Sequence, residues 1–487
     1  MFDYRTFATR KLAALGPKYL PFADVASEDV PLSQLLRLSL FQVTVGMALV
    51  LLAGTLNRVM IVELSVPASL VAGMLALPLL FAPFRALIGF RSDTHKSALG
   101  LRRVPYIWKG TLYQFGGFAI MPFALLVLSG YGDAVDAPRW IGYSSAAIAF
   151  LLVGAGVHMV QTVGLALATD LVDDADQPKV VGLMYVMLLF GMVVSALVFG
   201  ALLDPYTPGR LVQVIQGAAV VTVALNLFAL WKQEARSRAR AAEMKAQRPE
   251  RFADAWQTLL HIPGTKRLLT VIALGTFGFG MADVLLEPYG GQILGLTVAS
   301  TTKLTALLAA GTLGGFAIAS RWLSQGADAA GFARLGALIG LPGFALIILS
   351  AQLIGTTLGT GLFLAGTLAT GIGAGVFGHA TLTAVIRGAP AGRIGMALGA
   401  WGAVQATAAG IGIAAAGILR DLILGGIEDA GNSTAVPYIA VFSIELFMLV
   451  LAVIALGPLI RGRWRAANPT KAEPQAQTQY TNPVEVP

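Results

Sequence analysis

Ionisable and amide side chains stand inside stretches of this sequence that are otherwise apolar. They are Asn57, Arg58 and Glu63, then His158 and Gln161, Asp283 and Glu287, His379, and Glu445. Polar groups in such a setting are costly, so each is a candidate for function. Asp283 and Glu287 are spaced i,i+4 and share a helix face. Two carboxyls that close suit the binding of a proton. The alternative is that Glu287, directly before Pro288, marks the water boundary of its helix. Arg58 and Glu63 are five apart, a spacing that does not bring them together on an α-helix, so no pair is expected.

The two histidines repeat a local pattern. Gly154, His158 and Thr162 are four residues apart, and so are Gly375, His379 and Thr383. Each imidazole therefore has a glycine one turn before it and a hydroxyl one turn after it. The glycine would leave room for a flat ligand over the ring, and a neutral imidazole can ligate a metal, including the magnesium of a chlorin. The alternative is a histidine hydrogen-bonded across helices. Glu445 lies eight residues into the last apolar segment. Either it meets a partner from a second membrane protein, or it is a protonated glutamate bonded within its own bundle.

The elements that must position these residues follow from composition. The chain has 487 residues, 56% hydrophobic and 12% charged, against about 25% charged in average soluble domains. Repeated apolar runs of about 20 residues make it an all-α polytopic membrane protein. Twelve segments are expected, near 35–62, 67–90, 105–128, 141–168, 180–203, 211–231, 268–286, 300–322, 332–354, 361–386, 394–419 and 437–459. The tenth carries the weakest helix signal because glycines dilute it. The net charge of +8 is assigned to basic loops on one side of a membrane and not to nucleic-acid binding. Cysteine is absent, so disulfides and thiolate metal sites are excluded, and four histidines make a multi-ligand metal site unexpected. No P-loop, G-x-S-x-G, H-E-x-x-H or Rossmann fingerprint occurs, and the chain reads as a non-enzyme.

Residues 1–33 form a basic arm that lies on the lipid surface or is disordered. No secretory signal is evident in it, and the first span would act as an uncleaved insertion signal. Residues 34–231 form one six-helix bundle, 232–267 a linker with nine basic and four acidic residues, 268–466 a second bundle, and 467–487 a polar, disordered tail. The halves are faintly similar. The string GAGV occurs at 154 and at 373, Gly54 and Glu63 match Gly278 and Glu287 in spacing, and Asp204 and Asp421 end corresponding helices. The GAGV match sets His158 against Phe377 and not His379. A duplicated unit predicts two pseudo-symmetric bundles with a site between them.

Residues 82–117 close one apolar run, make a charged hairpin and open another, with Gly89 and Asp93 spaced G-x-x-x-D and Arg102 and Arg103 following. This resembles the loop between helices 2 and 3 of major facilitator transporters, where it would be a latch; the alternative is an ordinary charged loop. Thr94, His95 and Lys96 stand where that motif has Gly and Arg, and Gly100 to Arg103 come later. In that architecture the first and fourth helices of each half line the central cavity.

Further stretches are similar to one branch of that superfamily. They are Pro21–Asp24 (PFAD), Leu36–Gly54 (LRLSLFQVTVGMALVLLAG), Thr55–Glu63 (TLNRVMIVE), Gly154–Leu171 (GAGVHMVQTVGLALATDL), Gln177–Leu189 (QPKVVGLMYVMLL) and Arg210–Gly217 (RLVQVIQG). Together they resemble the PucC/LhaA family of purple phototrophic bacteria, and within it the PucC side. The resemblance implies a major facilitator fold of twelve transmembrane helices. It implies a membrane factor that assembles light-harvesting antenna complexes, contacts antenna polypeptides, and binds bacteriochlorophyll or delivers it from its synthesis machinery. The membrane would be the photosynthetic inner membrane. A homo-oligomer and contact with membrane lipids are compatible with this. Two other functions stay open: a proton-coupled transporter of a small metabolite using Asp283 or Glu287, and a pigment-free scaffold for antenna helices.

Arg58, Arg139, Arg210, Lys303 and Arg420 fall on one side, Arg85 within a span, and the other 28 of 34 basic residues on the side of both termini. Both termini are therefore expected in the cytoplasm. Reporter fusions after Glu250 and after Ala466 should both read cytoplasmic, and a periplasmic reading from either would break the twelve-span topology.

Overall fold

The computed structural model describes residues 30–80, 88, 92, 103–130, 134, 136–173, 176–233, 261–389, 394–428 and 434–460. The basic arm up to residue 29, Gly89, Asp93, Arg102, most of the linker and the tail after 460 lie outside the described residues. We number the helices α1 (Leu32–Glu63), α2 (Ala68–Leu80), α3 (Val104–Ser129), α4 (Arg139–Asp170), α5 (Gln177–Leu202) and α6 (Pro208–Leu230). After the linker come α7 (Thr265–Gln292), α8 (Val298–Ser324), α9 (Ala329–Ser350), α10 (Thr357–Gly388), α11 (Ile394–Glu428) and α12 (Val436–Ile460). Eleven are long and apolar enough to cross a membrane, and α2 is shorter in its described part. With an even number of crossings, the described chain begins and ends on one face, called here the terminal face.

The spans exist because only a helix satisfies its backbone polar groups within lipid. Two differ from their sequence limits. Helix α7 runs through Glu287 and Pro288 to Gln292, and α11 continues past Asp421 to Glu428. Glu287 is accordingly not at a water boundary: it is 3% exposed. Helix α10 is a regular 32-residue helix in spite of its glycines. Those glycines are contacts, not defects: a Cβ on Gly373 would lie 2.7 Å from the carbonyl oxygen of Gly336 on α9. Small residues of this kind let helix backbones approach where no hydrophobic force drives association.

Helix α1 departs from α winding in its second half. Val50–Leu56 and Val59–Glu63 are π-helical, and the amide of Leu64 bonds the carbonyl of Val59 at 3.0 Å. Single π turns inside helices recur at functional sites.

Within each half, buried polar and aromatic groups lock the helices together. In the first half, Asn226 of α6 donates through Nδ2 to Thr111 Oγ1 of α3 at 2.9 Å, and its Oδ1 lies 2.9 Å from Thr44 Oγ1 of α1. In the second half, Tyr289 of α7 packs against Phe363, Tyr438 and Phe442 with ring centroids 5.2 to 5.6 Å apart, and its hydroxyl meets Ser350 Oγ at 2.8 Å. Both hydroxyls beside Asn226 also reach carbonyls of their own helices, Phe41 O and Ile107 O, so they keep a partner if Asn226 is removed. Asn226→Leu should therefore cost only about 1 kcal/mol, read as a lower thermal midpoint in detergent. A loss several times larger would mean that Asn226, and not packing, sets the α1–α3–α6 arrangement.

Candidate functional site

The two halves meet along a polar seam on the side opposite the terminal face. Helix α1 supplies most of it from the first half. Thr55 Oγ1 lies 3.2 Å from Thr302 Oγ1 of α8, and Asn57 Nδ2 donates to the carbonyl of Val284 on α7 at 2.8 Å. Arg58 donates to the carbonyl of Leu296 at 3.1 Å and forms an ion pair with Glu63. The absence of an Arg58–Glu63 pair, expected from α spacing, is corrected by the π winding. An i→i+5 turn brings residues five apart back over each other, where α winding would leave them roughly 140° apart. Arg58 is 3% exposed and Glu63 reaches the surface with 38% of its side chain, so the buried charge is neutralised from the wet side. Tyr206, in the loop after α5, approaches the same pair: its own burial and then Glu63 push its hydroxyl above the usual phenol range, against Arg58.

Glu287 of α7 sits one layer deeper. Its Oε1 accepts a hydrogen bond from Thr305 of α8, and it faces Gly54 of α1. The expected Asp283–Glu287 pair does not form as a unit. Glu287 turns to α1 and α8, whereas Asp283 is exposed and lies within electrostatic range of Glu445.

A second cluster closes the same end between α2, α7, α11 and α12. Arg420 bonds Asp421 and Gln292, each at 2.8 Å, and Tyr438 donates to Gln292 Oε1 at 2.5 Å. Asp421 Oδ2 in turn accepts the backbone N–H of Ser69 at 2.7 Å. A carboxylate of one half thereby caps the N-terminus of a helix in the other, where the helix dipole favours it. Sequence reasoning singled out none of these as a group. Hydroxyls inside helices usually bond their own backbone, so Thr302 and Thr305 gave no signal, and only the charges of Arg420 and Asp421 in an apolar segment could have.

Toward the terminal face the halves meet differently. Tyr185 of α5 and Trp401 of α11 stand edge to face with centroids 6.3 Å apart, and Trp401 Nε1 donates to Thr381 Oγ1 at 3.3 Å. Of the hairpin residues, Arg103 is described. It bonds Asp170 at the end of α4 at 3.1 Å and Ser92 at 2.7 Å. These contacts tie α3 to its own half.

The histidine sites keep their faces but not their expected space. A Cβ on Gly154 would run into Pro78 of α2, and one on Gly375 into the carbonyl oxygen of Thr312 on α8. Both glycines serve helix contact, so neither leaves room for a ring. His158, Gln161 and Thr162 are partly buried along α4, and Thr383 is partly buried on α10. His379 stacks on Phe316 with centroids 4.1 Å apart, and its Nδ1 is buried without a hydrogen-bond partner among the described residues. Glu445 is 0% exposed. It faces the interior of its bundle, the second of its two expected settings and not an interface with a second protein, but without the hydrogen bond expected there among the described residues. Among the described residues no group of His, Asp or Glu side chains is arranged to hold a metal ion.

The seam yields one test. A Cβ at Gly54 would come 2.6 Å from Glu287 Oε1 and 3.0 Å from Thr305 Oγ1. Gly54→Ala should push these side chains apart and loosen the closed end. A lone cysteine at Val298, which is 2% exposed in a chain without cysteine, would then label faster with a polar maleimide. A tenfold rise corresponds to about 1.4 kcal/mol of lost closure. An unchanged rate would show that this layer does not hold the end shut.

Comparison with known proteins places this architecture. Over 88% of its length the chain superimposes on a bacterial homologue of the lysosomal transporter Spinster in an inward-facing state, with a TM-score of 0.61 at 14% identity and 96% of that chain covered. It matches a D-xylose–proton symporter with a TM-score of 0.65 at 15% identity, covering 87% of this chain and 96% of that one. These likenesses establish the major facilitator fold. In sequence it is 67% identical to Protein PucC of Rhodobacter capsulatus over 94% of this chain and 99% of that protein. It is 57% identical to Protein PucC of Cereibacter sphaeroides over 92% and 97%. A distant relative, 27% identical over 90% and 97%, is the bacteriochlorophyll synthase 44.5 kDa chain of Rhodobacter capsulatus. The family model described as PUCC protein matches residues 55–464. An α-helical membrane protein of major facilitator fold, matched over nearly its whole length, the chain belongs to the PucC family.

Proposed function

We propose that the protein is a membrane assembly factor for light-harvesting antenna complexes, and that it binds bacteriochlorophyll between its two halves and hands it to antenna polypeptides. Family membership supports the antenna role. The observation that supports the pigment step is His379: an imidazole of α10, stacked on Phe316 of α8, with a buried Nδ1 that has no hydrogen-bond partner among the described residues. Apolar surroundings do not satisfy a ring nitrogen, so a ligand for it has to come from elsewhere. The magnesium of a chlorin is such a ligand; because Thr312 fills the space at Gly375 and the imidazole is stacked on Phe316, the α8–α10 contact would have to part before a chlorin could reach the ring. The polar seam closes the far end, so pigment would enter and leave from the terminal face or sideways from lipid. In this reading both termini are cytoplasmic, the protein sits in the photosynthetic inner membrane, and it works without catalysis. His158, with Gln161 and Thr162, would serve the first half as His379 and Thr383 serve the second.

The protein purified in mild detergent should carry a chlorin absorption band. His379→Phe should lower pigment per folded molecule. Because Nδ1 has no protein hydrogen bond to lose, the stability cost should stay below about 1 kcal/mol. His158→Phe and the double variant extend the test to the first half. Unchanged pigment stoichiometry in all three variants, measured with melting temperature on the same preparations, would sink the ligand role. Antenna polypeptide co-purifying without pigment would favour a scaffold.

A further inference from the structure

Glu445 is the least explained group in the molecule. Its side chain is 0% exposed, and neither carboxyl oxygen has a hydrogen-bond partner among the described residues. It lies nine residues into α12, about 14 Å from that helix's far end. On α7 the adjoining turn carries Gly278, whose missing side chain leaves space filled by the Glu445 carbonyl at 3.3 Å and by Leu449 at 3.2 Å. On α9, Gly340 faces the same Leu449 and Phe279. These contacts bring α7, α9 and α12 close together around the turn that carries Glu445, and no donor among the described residues reaches the carboxyl.

Three helices pack on α12, and their charged groups are few. Helix α7 carries Lys266 and Arg267 in its first turn, at its terminal-face end, and presents Asp283, within electrostatic range of Glu445, while its Glu287 turns to Thr305 and Gly54. Helix α9 has only Arg334, near its terminal-face end. Helix α11 has Arg420 and Asp421, which are bonded to each other and to Gln292 and Ser69, and Glu428 at its far end. Among the described residues the charged neighbour of Glu445 is thus another acid. A carboxylate with no donor, no cation and a second acid beside it is not sustained in an apolar interior; the carboxylic acid is.

Asp283 differs from Glu445 in one respect. It is exposed, while Ala282 and Val284 on either side of it are buried. One turn on, Glu287 on the same helix face reaches α1 of the other half. Asp283 therefore opens onto the space between the halves, with Glu445 behind it.

We propose that the second half contains a proton-binding site, in which Glu445 holds the proton and Asp283 exchanges it with the space between the halves. The transfer is a simple proton exchange between two carboxyls, with no redox partner. The site stands apart from the pigment reading and would persist if that reading failed.

Infrared spectroscopy of the purified full-length protein tests it. At neutral pH the wild type should show the carbonyl stretch of a buried carboxylic acid, shifting slowly in D2O. Glu445→Gln should abolish that band. An identical spectrum in Glu445→Gln would overturn the assignment. Asp283→Asn leaves Glu445 in place, so it decides the matter even if Glu445→Gln fails to fold. The band should remain, and its shift in D2O should slow at least tenfold. If the band is missing from Asp283→Asn, the proton sits on Asp283 and the proposal is wrong; an unchanged exchange rate would remove Asp283 from the route.

Discussion

The closure of the molecule depends on the winding of α1. Arg58 is a full charge in a membrane helix with 3% of its surface exposed, a costly placement unless it is neutralised. Glu63 neutralises it only because the intervening turn is π-helical. The same winding sets the phase of everything before it. Asn57 meets Val284, Thr55 meets Thr302, and Gly54 turns its bare face to Glu287. Were α1 to continue as an α-helix, Arg58 and Glu63 would separate by roughly 140° around the axis. The buried guanidinium would then lose its carboxylate, and the contacts to α7 and α8 would shift together.

Two kinds of polar network result, and their placement separates fixed from movable contacts. The Thr44–Asn226–Thr111 thread lies wholly inside the first half, among fully buried side chains. Its hydroxyls also reach carbonyls of their own helices, so it fixes how α1, α3 and α6 meet while packing holds that half together. The seam of Arg58, Glu63, Asp421 and Ser69 lies between halves and near the far end, where Glu63 already reaches the surface. Groups released there can be rehydrated, so opening costs little beyond the bonds themselves. Interhelical hydrogen bonds in membranes are individually worth about 1 kcal/mol or less. A seam of a few such bonds is strong enough to favour one state and weak enough to be reversed.

The spans, the two halves and the family were legible in the sequence because they rest on long-range averages of hydropathy and on long strings. What was not legible depended on what lies across from a residue. The glycines of α10 weakened its helix signal because propensity measured in water counts them as losses, whereas Gly373 earns its place against the Gly336 backbone. Gly154 and Gly375 lie one turn from their histidines as the spacing says, but Pro78 and Thr312 occupy the space. Arg58 and Glu63 were separated on paper by assuming α winding throughout. Glu445 was left between an outer interface and a bond within its own bundle, because α12 is peripheral in this architecture. A peripheral helix still has an inner face, and Glu445 is on it.

Two stretches of equal spacing are put to different use in the two halves. Gly54 and Glu63 in α1 share their spacing with Gly278 and Glu287 in α7. In α1 the acid neutralises an arginine at the surface and the glycine is left open toward the other half. In α7 the acid is driven inward to fill the space at Gly54, while Gly278 is closed by α12. The acid of one copy thus completes the glycine of the other, and the fit exists only when the far end is shut. The α12 backbone covering Gly278 belongs to Glu445 and its neighbours, so α7 meets the other half through Glu287 and the helix of the buried acid through Gly278.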